Sequence, residues 1–151
     1  MTPIQFKLSD SYEEISAVHD ALYAYNLTKT GQPKQDVHAE KHPEQFVITA
    51  WDEQGVSRGG IVFHHRHNPE TIFVELFFLD DSLRGQGLGR AAFEELIRYA
   101  RQKNVLEIDL TTNTFQAPGF YKSLGFVVTE EKKAPQPLCP ENIYYHLNKK
   151  L

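Results

Sequence analysis

The sequence predicts an α+β fold, a mixed and mostly antiparallel sheet of six or seven strands with helices on both faces. Three observations carry this reading. The N-terminus alternates apolar and polar residues and then switches to helical spacing; three apolar runs in the middle are joined by tight turns; and the last of these runs enters a glycine-rich turn that opens an amphipathic helix.

In chain order, "IQFKL" alternates as a short strand does. "DSYEEISAVHDALYAYN" then places Ile15, Val18, Leu22 and Tyr25 on one helical face, with Ser11 and Glu14 spaced as a capping box. Residues 28–43 are polar and hold Gly31, Pro33 and Pro43, which predicts a loop or a short second helix. "QFVITAWD", "VSRGGIVFHH" and "TIFVELFFL" follow as strands, with turns at Asp52 to Gly55 and at Asn68-Pro69 forming an antiparallel meander. Beyond the glycines, Phe93, Leu96, Ile97 and Ala100 recur at i, i+3, i+4 and i+7, while Arg90, Glu94 and Arg98 stand four apart on the outer side as ion-pair candidates. Asn104 ends that helix. "VLEIDLT" reads as a strand, "FQAPGFYKSLG" as a short helix with Pro118 in its first turn and Gly125 as left-handed cap, and "FVVTE" and "NIYYHL" as further strands. Residues 130–142 read as an excursion loop.

The 151 residues suit one domain spanning 1–151, with a hydrophobic share of 40% and a charged share of 24% typical of globular chains. A net charge of -4 argues against a phosphate-backbone binder, so no nucleic-acid partner is expected. No apolar stretch approaches the roughly 20 residues that span a bilayer, and the N-terminus lacks a signal-peptide layout, so neither a membrane partner nor export is expected. Cys139, alone among prolines, can form no internal disulfide and has no activating neighbours; a reducing, cytoplasmic setting follows as the expectation.

The three glycines at alternate positions, Gly85, Gly87 and Gly89, demand a reason beyond turning the chain. A glycine-rich turn after a strand and before a helix presents unpaired N-H groups at the positive end of a helix dipole, which binds anions and phosphates above all. The dinucleotide spacing G-x-G-x-x-G fails, because Arg90 or Ala92 occupies the last glycine position, and no Walker loop is present. What stands here is R-x-x-G-x-G-like: Arg84, Gly85, Gln86, Gly87, Leu88, Gly89. This segment resembles the pyrophosphate-binding motif of the GNAT superfamily of acetyl-CoA-dependent N-acetyltransferases. "FQAPGFYKSLGF" is similar to that family's A-x-x-F-Y-x-x-x-G-F block, and together the two blocks cover Thr71 to Val128. Two departures stand out: Asp81 occupies a position where the family often has proline, and Asn113 lies eight residues before Tyr121 where seven is commoner.

The resemblance implies an acetyl-CoA donor held by Arg84, Gly85, Gln86, Gly87, Leu88, Gly89 and Arg90, with Phe120, Tyr121 and Asn113 as further contacts. It also implies that the strand splays from its neighbour at Phe77, Phe78 and Leu79, leaving backbone groups for the pantetheine and the acetyl oxygen. Leu79 N-H is then the oxyanion donor. Tyr121 matches the family's general acid, and a phenol of ordinary pKa near 10 can protonate a thiolate whose conjugate acid lies near 8.5. Glu75 interrupts the apolar run on the face that period-two alternation shares with Phe73, Phe77 and Leu79, and is the candidate general base, acting directly or through water; the structural alternative is a glutamate that is partly solvated or ion-paired, with Arg66 or a histidine of the adjacent strand as partner. His64 to His67, "HHRH", carries no ligand set at zinc spacing, so no metal is expected and the cluster reads as a rim or an edge of the acceptor pocket. "YAYN", Tyr23 to Asn26, could line that pocket or pack in the core.

The function expected is therefore acetyl transfer from acetyl-CoA to a primary amine of a small molecule or peptide, by direct attack in a ternary complex. The competing class is a non-catalytic acyl-CoA sensing module. Acceptor specificity is expected in residues 23–37, 64–68 and 130–142, and the family resemblance allows a homodimer.

Overall fold

The computed structural model describes residues 3–31, 44–116 and 118–151. Its elements are β1 (Gln5–Ser9), α1 (Tyr12–Thr30), β2 (Gln45–Trp51), β3 (Ser57–His65), β4 (Thr71–Leu79), a 3₁₀ turn (Asp81–Leu83), α2 (Leu88–Gln102), β5 (Glu107–Asn113), a second 3₁₀ turn (Thr114–Gln116), α3 (Pro118–Ser123), β6 (Val127–Lys133) and β7 (Ile143–Lys150). The strands form one seven-stranded sheet in the order β1-β2-β3-β4-β5-β7-β6, antiparallel throughout except for the parallel β4-β5 pair. That parallel pair follows from α2, because a helical crossover returns the chain in the same direction.

Burial assigns the two faces. On one, Ile15 and Val18 of α1 cover Val47, Val62, Leu76 and Phe78. On the other, Ala92, Phe93, Leu96 and Ala100 of α2 close over Ile48, Ile61, Phe63, Ile72, Val74 and Ile108, with Tyr121 and Phe126 completing the cluster. Fully burying such side chains contributes on the order of 1.5–3 kcal/mol each, so this second cluster is the main stabilising mass of the domain.

Four local expectations are corrected. α1 does not stop at Asn26 but runs to Thr30, where Gly31 at φ 70° caps it and donates its N-H to the Leu27 carbonyl; of the segment expected as a loop, residues 32–43 lie outside the described residues. β6 continues through Glu130 and Glu131 to Lys133, because its backbone pairs with β7 while its side chains stay in solvent, so only residues 134–142 form the excursion. On α2, Arg98 pairs with Glu95 rather than Glu94, and Arg90 reaches across to donate to the Ser123 carbonyl. At α1 only half of the capping box forms: Ser11 Oγ accepts from Glu14 N-H, while the Glu14 carboxylate accepts from Thr49 Oγ1 at 3.0 Å.

Candidate functional site

The β4-β5 register runs from Thr71↔Glu107 to Val74↔Leu110 and stops. From Glu75 onward, β4 has no strand partner on that side among the described residues, and a cleft of about 1210 Å³ opens there. Which backbone groups face it follows from alternation along the strand. Asp80 N-H donates to the Arg58 carbonyl on the β3 side at 2.8 Å, so the N-H groups of Leu79 and Phe77, one and three residues earlier, face the open side. The backbone of Phe78 faces β3, and its ring packs toward α1, 6.0 Å from the Tyr25 ring.

The loop after β4 forms the floor of one end. Gly85 and Gly87 adopt φ 76° and 73°, and a Cβ on either would meet nothing within 4 Å. Gly87 is also the N-cap of α2 and supplies no side-chain capping bond, so the first-turn N-H groups stay available at the positive end of the dipole. Gly89 serves packing instead. A Cβ there would stand 3.0 Å from Phe120 Cζ, so the missing methyl lets α3 dock against α2. Arg84 Nε holds Asp81 Oδ1 at 2.9 Å, with its guanidinium 5.3 Å over the Tyr25 ring. Asp81, where a proline was the commoner expectation, thus orients the arginine. Gln86 turns its amide back onto the Ser82 carbonyl, while Leu88 and Arg90 line the cleft.

Tyr121 sits where the two ends meet. It lines the cleft yet is only 7% exposed, surrounded by the rings of Phe77, Phe93, Phe120 and Phe126 at tilted or edge-on angles. Burial pushes its phenol well above the ordinary tyrosine range, which keeps it protonated. Asn113 also lines the cleft, but its polar groups are engaged: its N-H and amide donate to Gln116 Oε1, and its Oδ1 accepts from Asn142. That network, extended by Gln116 to Asn26 of α1, holds the strand end to the helix.

The far end is made of side chains from three strands. β3 and β4 lose register between Val62↔Leu76 and Phe63↔Val74, a bulge that leaves Glu75 as the extra residue. The bulge overturns simple alternation. Phe77 belongs to the α2-side core, whereas Glu75 joins Gln45 and His64, which are cross-strand partners, on the α1 side. Gln45 Nε2 donates to both Glu75 oxygens at 3.1 and 3.0 Å, and His64 Nδ1 lies 3.0 Å from Oε2. Of the two ion-pair partners entertained from sequence, the histidine is the one found; Arg66 instead stacks 4.7 Å over Phe73 and faces Asp109 at 3.7 Å. Gln45 was missed altogether, and only strand pairing could have found it. Among the described residues, no three His, Cys, Asp or Glu side chains gather as a metal site, and no helix is long and apolar enough to cross a membrane.

Residues 10–126 match the acetyltransferase (GNAT) family. The chain is 31% identical over 105 residues to the blasticidin-S acetyltransferase of Streptomyces morookaense, covering 69% of this chain and 73% of the relative. It is 29% identical to the peptidyl-lysine N-acetyltransferase YjaB of Escherichia coli, over 76% of this chain and 69% of that one. The solved structure of a GCN5-related N-acetyltransferase from Kribbella flavida superposes with a TM-score of 0.71 at 17% identity, covering 98% of each chain.

Proposed function

This chain belongs to the GNAT acetyltransferase family, and from that premise we propose that it moves the acetyl group of acetyl-CoA to a primary amine by direct attack, in the cytoplasm. The observation that supports this most is the joint arrangement of the unpaired β4 edge and the uncapped glycine turn on one cleft. In this reading the amides from Arg84 to Arg90 hold the pyrophosphate. The open edge at Phe77 to Leu79 pairs with the pantetheine, with Phe120 packed alongside. Leu79 N-H donates to the thioester oxygen as the amine attacks. Tyr121, kept protonated by its aromatic surroundings, gives its proton to the departing thiolate. The acceptor loses its proton at the Glu75 end.

Holding both reactants in one cleft supplies much of the acceleration, since oriented groups reach effective molarities of about 10⁵ M or more. The acceptors named for the two relatives, blasticidin S and a peptidyl lysine, differ widely, so the test is a panel. Calorimetry is expected to show binding of CoA and acetyl-CoA but not of ATP or NAD. Thiol release is expected with at least one member of a set containing blasticidin S, polyamines, amino acids and lysine peptides. CoA binding with no thiol release on any amine would favour a sensing module, and acetyl left on the protein without acceptor would reject direct attack.

A further inference from the structure

The acetyl-transfer reading puts the doubled phosphate of the donor at the glycine turn, and the inference here rests on that reading and deepens it. We propose that Tyr25 of α1 is a positioning residue of the donor site, whose ring holds the Arg84 guanidinium beside the turn so that its terminal nitrogens meet the pyrophosphate of acetyl-CoA.

Of the "YAYN" segment, Tyr25 and Asn26 both line the cleft, with Tyr25 half-buried. The Tyr25 ring lies 6.0 Å from the Phe78 ring of β4, and the Arg84 guanidinium carbon stands 5.3 Å over its centroid. Its hydroxyl donates to the Phe115 carbonyl, in the 3₁₀ turn that follows β5, at 3.3 Å. The next residue repeats the connection, because Asn26 Oδ1 accepts from Gln116 Nε2 at 3.0 Å. α1 therefore spans the gap that opens where β4 and β5 part after Val74↔Leu110. Swinging the Tyr25 side chain away from Arg84 would break its bond to the β5 side.

Arg84 is thus held on two sides. Asp81 Oδ1 takes its Nε at 2.9 Å and Tyr25 lies beneath the guanidinium, while the terminal nitrogens form no further hydrogen bond or ion pair among the described residues. An arginine fork suits phosphate oxygens, and an aromatic face attracts the cation without consuming those donors. With the Arg84 side chain 54% exposed, the carboxylate alone would leave it free to pivot about Nε into solvent. Lys29 Nζ lies 5.6 Å from the same ring, so with Arg84 it offsets Asp81 at the end of the cleft that receives the phosphates. The main-chain amides of the turn bind that group whatever flanks them. Arg84 adds a smaller side-chain increment, and Tyr25 governs it.

The experiment measures CoA affinity by calorimetry in wild type, Tyr25→Leu, Tyr25→Phe, Arg84→Ala and the Tyr25→Leu/Arg84→Ala double variant. It also follows the wild-type Arg84 Nε-H signal by nitrogen-15 NMR as CoA is added. Tyr25→Leu keeps an apolar contact for Phe78 and is expected to weaken CoA binding about three- to fivefold, the scale of one exposed cation–π contact, with KM for acetyl-CoA raised by the same factor. Arg84→Ala is expected to cost about tenfold, the scale of one hydrogen bond to a charged group. The double variant should lose no more than Arg84→Ala alone, because the ring acts through the guanidinium. Tyr25→Phe keeps the ring and is expected to retain most of the affinity. In wild type the Arg84 Nε-H signal should shift as CoA binds. Additive losses in the double variant, a Tyr25→Phe loss as large as that of Tyr25→Leu, or an Arg84 signal that CoA leaves unmoved would each overturn the proposal, and the last needs no variant to fold. A wild type that binds no CoA removes the acetyl-CoA reading itself, whereas a wild type that binds it no more tightly than Tyr25→Leu removes this inference alone.

Discussion

At its glycine-loop end the cleft is made of backbone, whereas at its His64 end it is made of side chains contributed by three strands. The first end needs only a positive-φ turn, a helix start without a side-chain cap and a strand edge that no strand among the described residues covers, all inside residues 75–90. The second end needs Gln45, His64 and Glu75, which lie up to 30 positions apart and meet only because β2, β3 and β4 pair as they do. A backbone site can recognise a group common to many substrates, such as a doubled phosphate, without caring which residues flank it. A side-chain site can be retuned by single substitutions, so under the proposed function acceptor choice is free to vary while donor binding stays put.

The largest effect that tests this contrast is at Gly87. Gly87→Asp places a negative charge among the N-H groups that would meet the phosphates, and aspartate is among the residues that tolerate the left-handed region. Its Cβ meets no neighbour, so the fold should survive. The expected result is roughly a hundredfold or greater loss in CoA affinity by calorimetry, about 3 kcal/mol, with the thermal midpoint within a few degrees of wild type. Undiminished binding would show that the backbone end is not the donor site.

Next in size is the residue that joins the two ends. Tyr121→Phe removes one oxygen and keeps the ring within its aromatic neighbours. CoA affinity should stay the same, and turnover should fall on the order of 10², the contribution typical of a positioned general acid. An unchanged turnover would make Tyr121 a packing residue and leave thiolate protonation to water.

The contrast also explains what could be read from the sequence. The backbone end was legible because its signal is contiguous: glycine spacing, the apolar run of β4 and the periodicity of α2 lie side by side, and β4 occupies the same Thr71–Leu79 bounds that the pattern predicts. The side-chain end was half legible. Glu75 stood out as a carboxylate in an apolar run, but its face was misassigned, because a bulge is an offset between two strands and leaves no mark in the sequence of either. β6 hid its length for a related reason: Glu130 to Lys133 carry charges suited to an exposed edge strand, and such strands have no apolar face to reveal them. Asn113 entered as a donor contact implied by the family resemblance, and its partners Gln116 and Asn142 became visible only with the chain folded.

The smallest effect concerns protons and stability. Burial raises the Tyr121 phenol above its ordinary value near 10, so below about pH 10 the folded and unfolded chains both keep this proton and the group contributes no slope. Above that, the unfolded chain releases the proton while the folded chain retains it. The folded state then binds more protons, and stability must fall as pH rises. Tyr121→Phe removes this component, so its stability between about pH 9 and 11, followed by urea midpoints, should decline less steeply than that of wild type. The slope should shrink rather than vanish, because Tyr99 is also raised, by burial first and by the charge of Glu44 second, and is present in both proteins. Parallel curves would mean that water entering the cleft lets the folded phenol ionise as freely as the unfolded one. In that case the aromatic shell would not protect the proton that the thiolate is to receive, and the meeting point of the two ends would belong with the solvated acceptor side.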